Sequence, residues 1–319
     1  MKNYFLISLL FIFIISCKEE NKLAVDVSNI NAEVTFKRFE QVFYGSNELD
    51  LKKIKAEYPY FFSHDVDSIW IKKMKDTDEQ ELYKETQKVY PNLKLEKEQL
   101  KDLFKHIKYY YPKFVEPSKV VTLNSNVSFE QRVVYMDSLL LISLDVFLGK
   151  DSKIYEDYPD YIKEQFTKEH LIVSVAEQLV RPIVFPSKDR SFLARMIQQG
   201  KIKYALDAFL PTITNAIKNG YSKEKQNWVE GNEAMIWQFF MENKLLYDTS
   251  KELNKRFIDF APFSKFYLDI DNQSPGSVGS FIGLQIVKAF MKHNDVSLPD
   301  LMIMENETIF KKSKYKPRR

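Results

Sequence analysis

The chain is poor in several residues that usually carry chemistry. Among its 319 residues there is one cysteine, Cys17, with eight glycines and four histidines. A single cysteine excludes an internal disulfide scaffold, a C-x-x-C redox pair and a cysteine-rich zinc site. His64, His106, His170 and His293 lie far apart, and none falls in an H-x-x-x-H pair. The sequence therefore lacks the helical signature that brings two imidazoles to one zinc ion. Glycine-rich phosphate loops, a dinucleotide-binding fingerprint and an EF-hand loop are also missing from the sequence. So is a G-x-S-x-G nucleophile elbow, since Ser274-Pro275-Gly276-Ser277 puts proline where that elbow needs a flexible turn. Long apolar runs are scarce too. Tyr4 to Ile15, behind Lys2, is shorter than the roughly 20 residues that a membrane-spanning helix needs.

A basic start, a short apolar stretch and a small residue before a cleavage point form the layout of a secretory signal peptide, here residues 1–16. Ile14-Ile15-Ser16-Cys17 resembles a bacterial lipobox, in which the cysteine thiol receives lipid and the small residue before it admits the peptidase. An uncleaved N-terminal anchor and an ordinary thiol are the competing readings. With Cys17 as the lipid attachment site, residues 17–24 become a lipidated tether that places the body at a membrane. Acyl chains contribute about 0.8 kcal/mol per buried CH₂, so more than one chain gives a stable anchor. Lys18-Glu19-Glu20 reads either as solvated tether or as similar to the acidic export tags of some Bacteroidota surface lipoproteins. The expected localisation is the cell envelope, with membrane and leaflet open.

The remaining chain is long enough for a real core. Its 45% hydrophobic and 14% aromatic content, with little glycine, indicates a folded, helix-rich body. Formal charge is +3, but Lys311, Lys312, Lys314, Lys316, Arg318 and Arg319 crowd the end, so residues 25–310 are mildly acidic. The basic tail 311–319 reads as solvated or as a contact with a membrane or partner, and nucleic acid is not an expected partner outside the cytoplasm.

Apolar residues on even spacings from Val25 to Phe39 suggest an early strand or strand pair. Tyr58-Pro59, Tyr90-Pro91 and Tyr111-Pro112 punctuate a helical stretch, because proline disfavours helical geometry in the residue before it. Lys119 to Leu123 and two runs around the turn Asp137-Ser138 read as strands. Helices are expected near 160–181, 187–209, 222–245, 249–259 and 275–293, the last with Ser274 as N-cap and Pro275 as first residue. The expected fold is α+β: one domain over 25–310, with a small antiparallel sheet within 25–149 and a mainly α-helical body over 158–305.

One helix pair is similar to a gluzincin frame. In that frame an H-E-x-x-H helix supplies two zinc ligands and a base, and a later Glu supplies the third ligand. Here Ala176 and Val180 stand at the histidine positions, Glu177 at the base and Gln199 at the third ligand. A degenerate zincin-like scaffold and coincidence between two amphipathic helices both fit; neither leaves a competent zinc site. No metal and no cofactor are expected. Glu230 and Glu233, at i, i+3 between Trp228 and Trp237, form either a solvated face or a carboxylate pair in a partly buried pocket. His170, near a helix N-terminus, is expected in a surface or capping role.

Several segments, in order, resemble the gliding-motility lipoprotein family GldB of Bacteroidota. They are Ile142 to Lys150 with Tyr158 to Ile162, Gly200 to Tyr204 with Asp207 to Pro211, Glu230 to Trp237 with Leu245 to Tyr247, and Ser274 to Gly279. The resemblance implies a lipid-anchored envelope protein required for movement over surfaces, in organisms where gliding and type IX secretion are linked. It brings no catalytic residues. The expected function is a non-catalytic scaffold or assembly factor that binds another envelope protein of the gliding machinery. The alternative is an envelope hydrolase acting on peptide or glycan through carboxylates not paired in sequence.

Overall fold

The computed structural model describes residues 23–62 and 66–318. Cys17, the signal-peptide region and His64 lie outside the described residues. Chain order begins with β1 (Phe36–Arg38), followed by α1 (Phe39–Tyr44), α2 (Leu51–Glu57), α3 (Asp67–Lys75), α4 (Thr77–Val89) and α5 (Lys94–Tyr110). Three strands come next: β2 (Lys119–Leu123), β3 (Val133–Met136) and β4 (Leu139–Ser143).

The sheet order is β1-β2-β4-β3. The β3–β4 hairpin is antiparallel, and Asp137 takes the left-handed conformation (φ 51°) in its turn. The other two pairings, β1 with β2 and β2 with β4, are parallel. The sheet is therefore mixed, where an antiparallel one was expected. A hairpin announces itself locally through its turn, whereas a parallel partner arrives only after a long crossover; between β1 and β2 that crossover is five helices. Both faces of the sheet are covered. Val120, Leu140 and Ile142 enter a large core, while Val121, Leu139 and Leu141 face a smaller one. The period of two sends neighbours to opposite sides, and double burial explains the unbroken apolar run of the strands. The smaller core is aromatic: Phe39 stacks on Phe43 at 5.2 Å and Phe62 meets Trp70 at 4.5 Å.

The rest of the described chain is helical: α6 (Asp160–Lys163), α7 (Lys168–Val180), α8 (Phe192–Phe209), α9 (Asn215–Asn219), α10 (Lys223–Gly231), α11 (Glu233–Glu242), α12 (Glu252–Phe257), α13 (Val278–His293), α14 (Leu298–Ile303) and α15 (Asn306–Ser313). Helices α8 and α13 cross with their backbones close together. A Cβ on Gly283 would sit 1.8 Å from the Met196 carbonyl oxygen, and one on Gly200 2.3 Å from Gly283. Glycine is what permits this crossing.

One expectation changes here. Helix α13 starts at Val278 rather than Pro275, preceded by Ser277 in the left-handed region (φ 58°). Ser274 is buried, and its hydroxyl donates to the Asp271 carbonyl while accepting from the Ser264 amide, so it pins a loop instead of capping a helix. The basic end of the chain is also folded back. Lys311 and Lys312 occupy the last turn of α15, where cations complement the helix dipole, and Tyr315 packs edge-on against Trp237 at 5.2 Å.

Candidate functional site

Helix α7 packs against β3, α5, α8 and α9. Ala176 and Val180 are both fully buried in the large core. The two positions that would carry imidazoles thus face apolar side chains rather than a cleft. Glu177 and Gln199 are each half-buried. Among the described residues, no group of three or more His, Cys, Asp or Glu is placed to hold a metal ion.

The other side of α7 is polar. His170, Ser174 and Glu177 recur at i, i+4 and i+7, which puts them in one stripe. Arg132, just ahead of β3, reaches this stripe: Nε donates to Ser174 Oγ at 3.0 Å and Nη1 to the Phe129 carbonyl at 3.0 Å. Its guanidinium lies over the Phe129 ring, 4.3 Å from the centroid. Burial pulls the Arg132 pKa down, and the nearby Glu177 charge opposes it. His170 is 5% exposed, with Nδ1 at 2.9 Å from the Thr167 hydroxyl. Burial depresses its pKa to about 4, so the ring is neutral at pH 7. This corrects the surface role expected for it, while the bond to Thr167, the N-cap residue of α7, keeps it at the helix start: proximity to a helix N-terminus did not reveal that the helix is covered on nearly every side.

Glu177 also faces Lys203 on α8, whose pKa is lowered by burial while Glu177 and Asp207 oppose the shift. One turn further on, buried Asp207 accepts from Lys218 of α9 at 2.5 Å and Lys288 of α13 at 2.8 Å. The stripe therefore runs into an ion-pair network that ties α8, α9 and α13 together. On the opposite flank of α8, buried Lys201 donates to the Met304 carbonyl at 2.5 Å, and burial brings its pKa down to about 8.

A second polar cluster lies beyond the C-terminal ends of the parallel strands, the edge where open α/β sheets place ligands. Glu40, fully buried, accepts from Arg38 Nε at 2.7 Å and from Thr122 Oγ1 at 2.8 Å. Asp145, equally buried, accepts from the amides of Ser125 at 3.0 Å and Val127 at 2.7 Å. Between those amides the chain takes two successive left-handed residues, Asn126 and Val127, each at φ 56°. That conformation is costly for β-branched valine and persists only where neighbours impose it; the Asp145 carboxylate is the visible constraint. Burial raises the Asp145 pKa to about 6, although the amide hydrogen bonds pull it down. Desolvation of a carboxylate in this interior outweighs two donors. In the sequence Asp145 stands out only as part of the Ile142 to Lys150 segment. An acid directly after an apolar strand was the available signal, but its partner loop follows a different strand.

The two carboxylates between the tryptophans do not converge. Glu230 is exposed and accepts from Gln226 Nε2 at 2.5 Å. Glu233 is buried and accepts from Tyr315 Oη at 2.9 Å and the Arg318 amide at 3.4 Å. The chain's own C-terminal segment occupies it. His106 and His293 are likewise engaged, His106 Nδ1 against the Asp102 carbonyl at 2.9 Å and His293 Nδ1 against the carbonyls of Ala289 and Ser313, each at 2.8 Å.

A family model described as gliding motility protein GldB matches residues 20–317. The chain belongs to the GldB family. No curated protein and no solved structure matches it. Membership in this family carries a role in gliding motility, and the family's lipoprotein character fits a place in the cell envelope. No helix among the described residues is long and apolar enough to cross a membrane. The segments by which the sequence resembles GldB proteins fall on the special points of the fold: the Asp145 clamp, the Gly200 crossing, the Asp207 network, the Glu233 contact with Tyr315 and the loop before α13.

Proposed function

We propose that this GldB-family chain is a non-catalytic scaffold or assembly factor of the gliding machinery, held in the cell envelope by lipid on Cys17. The observation that carries the reading is how the buried ionisable groups are used. Asp145 holds two backbone amides, Asp207 two lysines, Glu233 the C-terminal segment and Lys201 a carbonyl. Each is spent on holding the chain together, which is the use expected of a body whose work is to present a surface. Catalysis would call for a nucleophile beside a base, or an acid and a base with separated pKa values facing one space. The neutral His170 contacts Thr167, and Ser174 takes its hydrogen bond from Arg132. The partner is another envelope protein of the gliding apparatus, in organisms where that apparatus is coupled to type IX secretion. No metal or cofactor enters this reading.

The test is a cell-based comparison. Cys17→Ala should abolish palmitate labelling and release the body from membranes, with loss of gliding. Glu177→Gln with Glu233→Gln should leave gliding intact at normal protein levels. A stably expressed but motionless Glu177→Gln strain would sink the non-catalytic reading, and undiminished palmitate incorporation in Cys17→Ala would sink the anchor.

A further inference from the structure

Helices α12 and α13 are joined by residues 258–277, a connection whose regular structure is one 3₁₀ turn at Asp271–Gln273. Connections longer than about 12–15 residues without structure of their own are uncommon in compact bodies and are usually functional. This one borders a cavity of about 400 Å³ whose other walls are α6, the turn at Gly220–Ser222 and the start of α10. That volume falls within the roughly 300–1,000 Å³ typical of small-molecule sites. Two segments singled out in the sequence, Tyr158 to Ile162 and Ser274 to Gly279, meet here, and none of the polar networks above enters the cavity.

The walls are tied to one another. Tyr221 Oη donates to the Gly276 carbonyl at 2.8 Å, and Lys225 Nζ donates to the carbonyls of Asn272 at 2.6 Å and Ser274 at 2.8 Å. Gly276 lies so close to the neighbouring loop that a Cβ there would be 2.1 Å from the Ala261 carbonyl oxygen. A cavity fixed in this way loses little conformational freedom when something binds.

Its lining is mixed in a particular manner. Phe260 remains 41% exposed although Tyr161 and Phe129 support it at 5.2 and 5.6 Å. Around it stand Asp160, Glu164, Ser222 and Asn272, which supply both donors and acceptors. The charges are already answered: Asp160 pairs with Lys163 at 2.8 Å, Glu164 with Lys150 at 2.9 Å, and Lys225 is committed to carbonyls. An anion would meet two carboxylates, a cation would meet carboxylates already paired, and a purely apolar ligand would strand the polar rim. A neutral, polyhydroxylated ring satisfies all three constraints, because its C–H face suits the electron-rich face of an aromatic ring and its hydroxyls both donate and accept.

We propose that this cavity is a binding site for a neutral carbohydrate, with a sugar ring on Phe260 and its hydroxyls bonded by Asp160, Glu164 and Asn272. The site binds without cleaving, and it extends the scaffold reading by giving the body a polysaccharide contact of its own.

The purified full chain, titrated with cellobiose, mannobiose and N,N′-diacetylchitobiose by calorimetry and saturation-transfer NMR, should bind at least one of them. Phe260→Ala should weaken that binding about tenfold, and Phe260→Trp should keep it, with both variants still folded by circular dichroism. Binding of none of the three at millimolar concentration would overturn the proposal. So would preference for an acidic sugar such as digalacturonate, or binding unchanged in Phe260→Ala. If Phe260→Ala fails to fold, Asn272→Ala on the exposed rim serves instead: weaker binding supports the site and unchanged binding removes it.

Discussion

The two sides of α7 differ in almost everything except the helix they share. One side, with Val175, Ala176, Leu179 and Val180, is wholly apolar and buried in the large core. The other, with His170, Ser174 and Glu177, meets Arg132 and the charges of α8. The comparison teaches that burial and function are separate questions. The frame that looks like a decayed metal site has its ligand positions on the side where packing decides identity, while the polar groups sit on the other side and are engaged within the fold, save His170 Nε2, which is buried without a hydrogen-bond partner among the described residues.

The hardest test of that difference puts the missing ligands in. Ala176→His together with Val180→His adds volume and unpartnered polar atoms to a close-packed core, at roughly 2–4 kcal/mol for each site. That is a large part of the 5–15 kcal/mol that typically holds a domain folded. Urea unfolding should show the loss, and added zinc should not restore it. A zinc-dependent rise of the midpoint would mean that the two sides have been assigned the wrong way round.

Acid titration sets the polar side of α7 against the strand-end cluster. His170 has a folded pKa near 4, against 6.5 when free. Its contribution is complete above pH 6.5 and is lost as pH falls toward 4, because the unfolded chain takes up the proton first. Asp145 runs the other way. With a folded pKa near 6, against 3.8 when free, it penalises the folded state above pH 6 and ceases to do so as pH falls toward 3.8. Each shift corresponds to about 3 kcal/mol at most, so the two largely offset between pH 4 and 6. Relative to the wild type, His170→Asn should gain stability on acidification over that window and Asp145→Asn should lose it, measured by urea midpoints at half-unit steps. Parallel pH profiles for all three proteins would show that neither group is as desolvated as its position indicates.

The smallest effect belongs to Glu177. It is half-buried and balanced by Arg132 and Lys203, so Glu177→Gln removes a charge but keeps the shape and a hydrogen-bonding group. A loss of about 1 kcal/mol or less is expected in the same unfolding assay. A loss of 3 kcal/mol or more would make this charge a pillar of the α7–α8 contact rather than a trim on it.

The hairpin at Asp137-Ser138 and the helical character of the chain beyond residue 158 were legible because each is written in neighbouring residues: a turn dipeptide between apolar runs, or a period near 3.6. The start of α13 was not. Ser274-Pro275 has the right chemistry for a helix start, but the Ser274 hydroxyl finds Ser264 and Asp271 instead, and no local rule registers a partner ten residues back. Glu230 and Glu233 show the same limit. Their spacing put them on one helix face, but a break at Asn232 separates α10 from α11, and residues some 80 positions away engage the second.

Sequence by itself determined the α+β character, the β3–β4 hairpin, the helical character of the chain beyond residue 158, the lack of thiol chemistry beyond Cys17 and the family to which the chain belongs. Tertiary structure decided the parallel pairing of β1, β2 and β4, the face of α7 that is polar, the neutrality of His170 and the engagement of Glu233 by Tyr315. The reason is physical. Periodicity and capping depend on interactions within a few residues, whereas pairing, desolvation and charge compensation depend on which distant segment arrives at the other side.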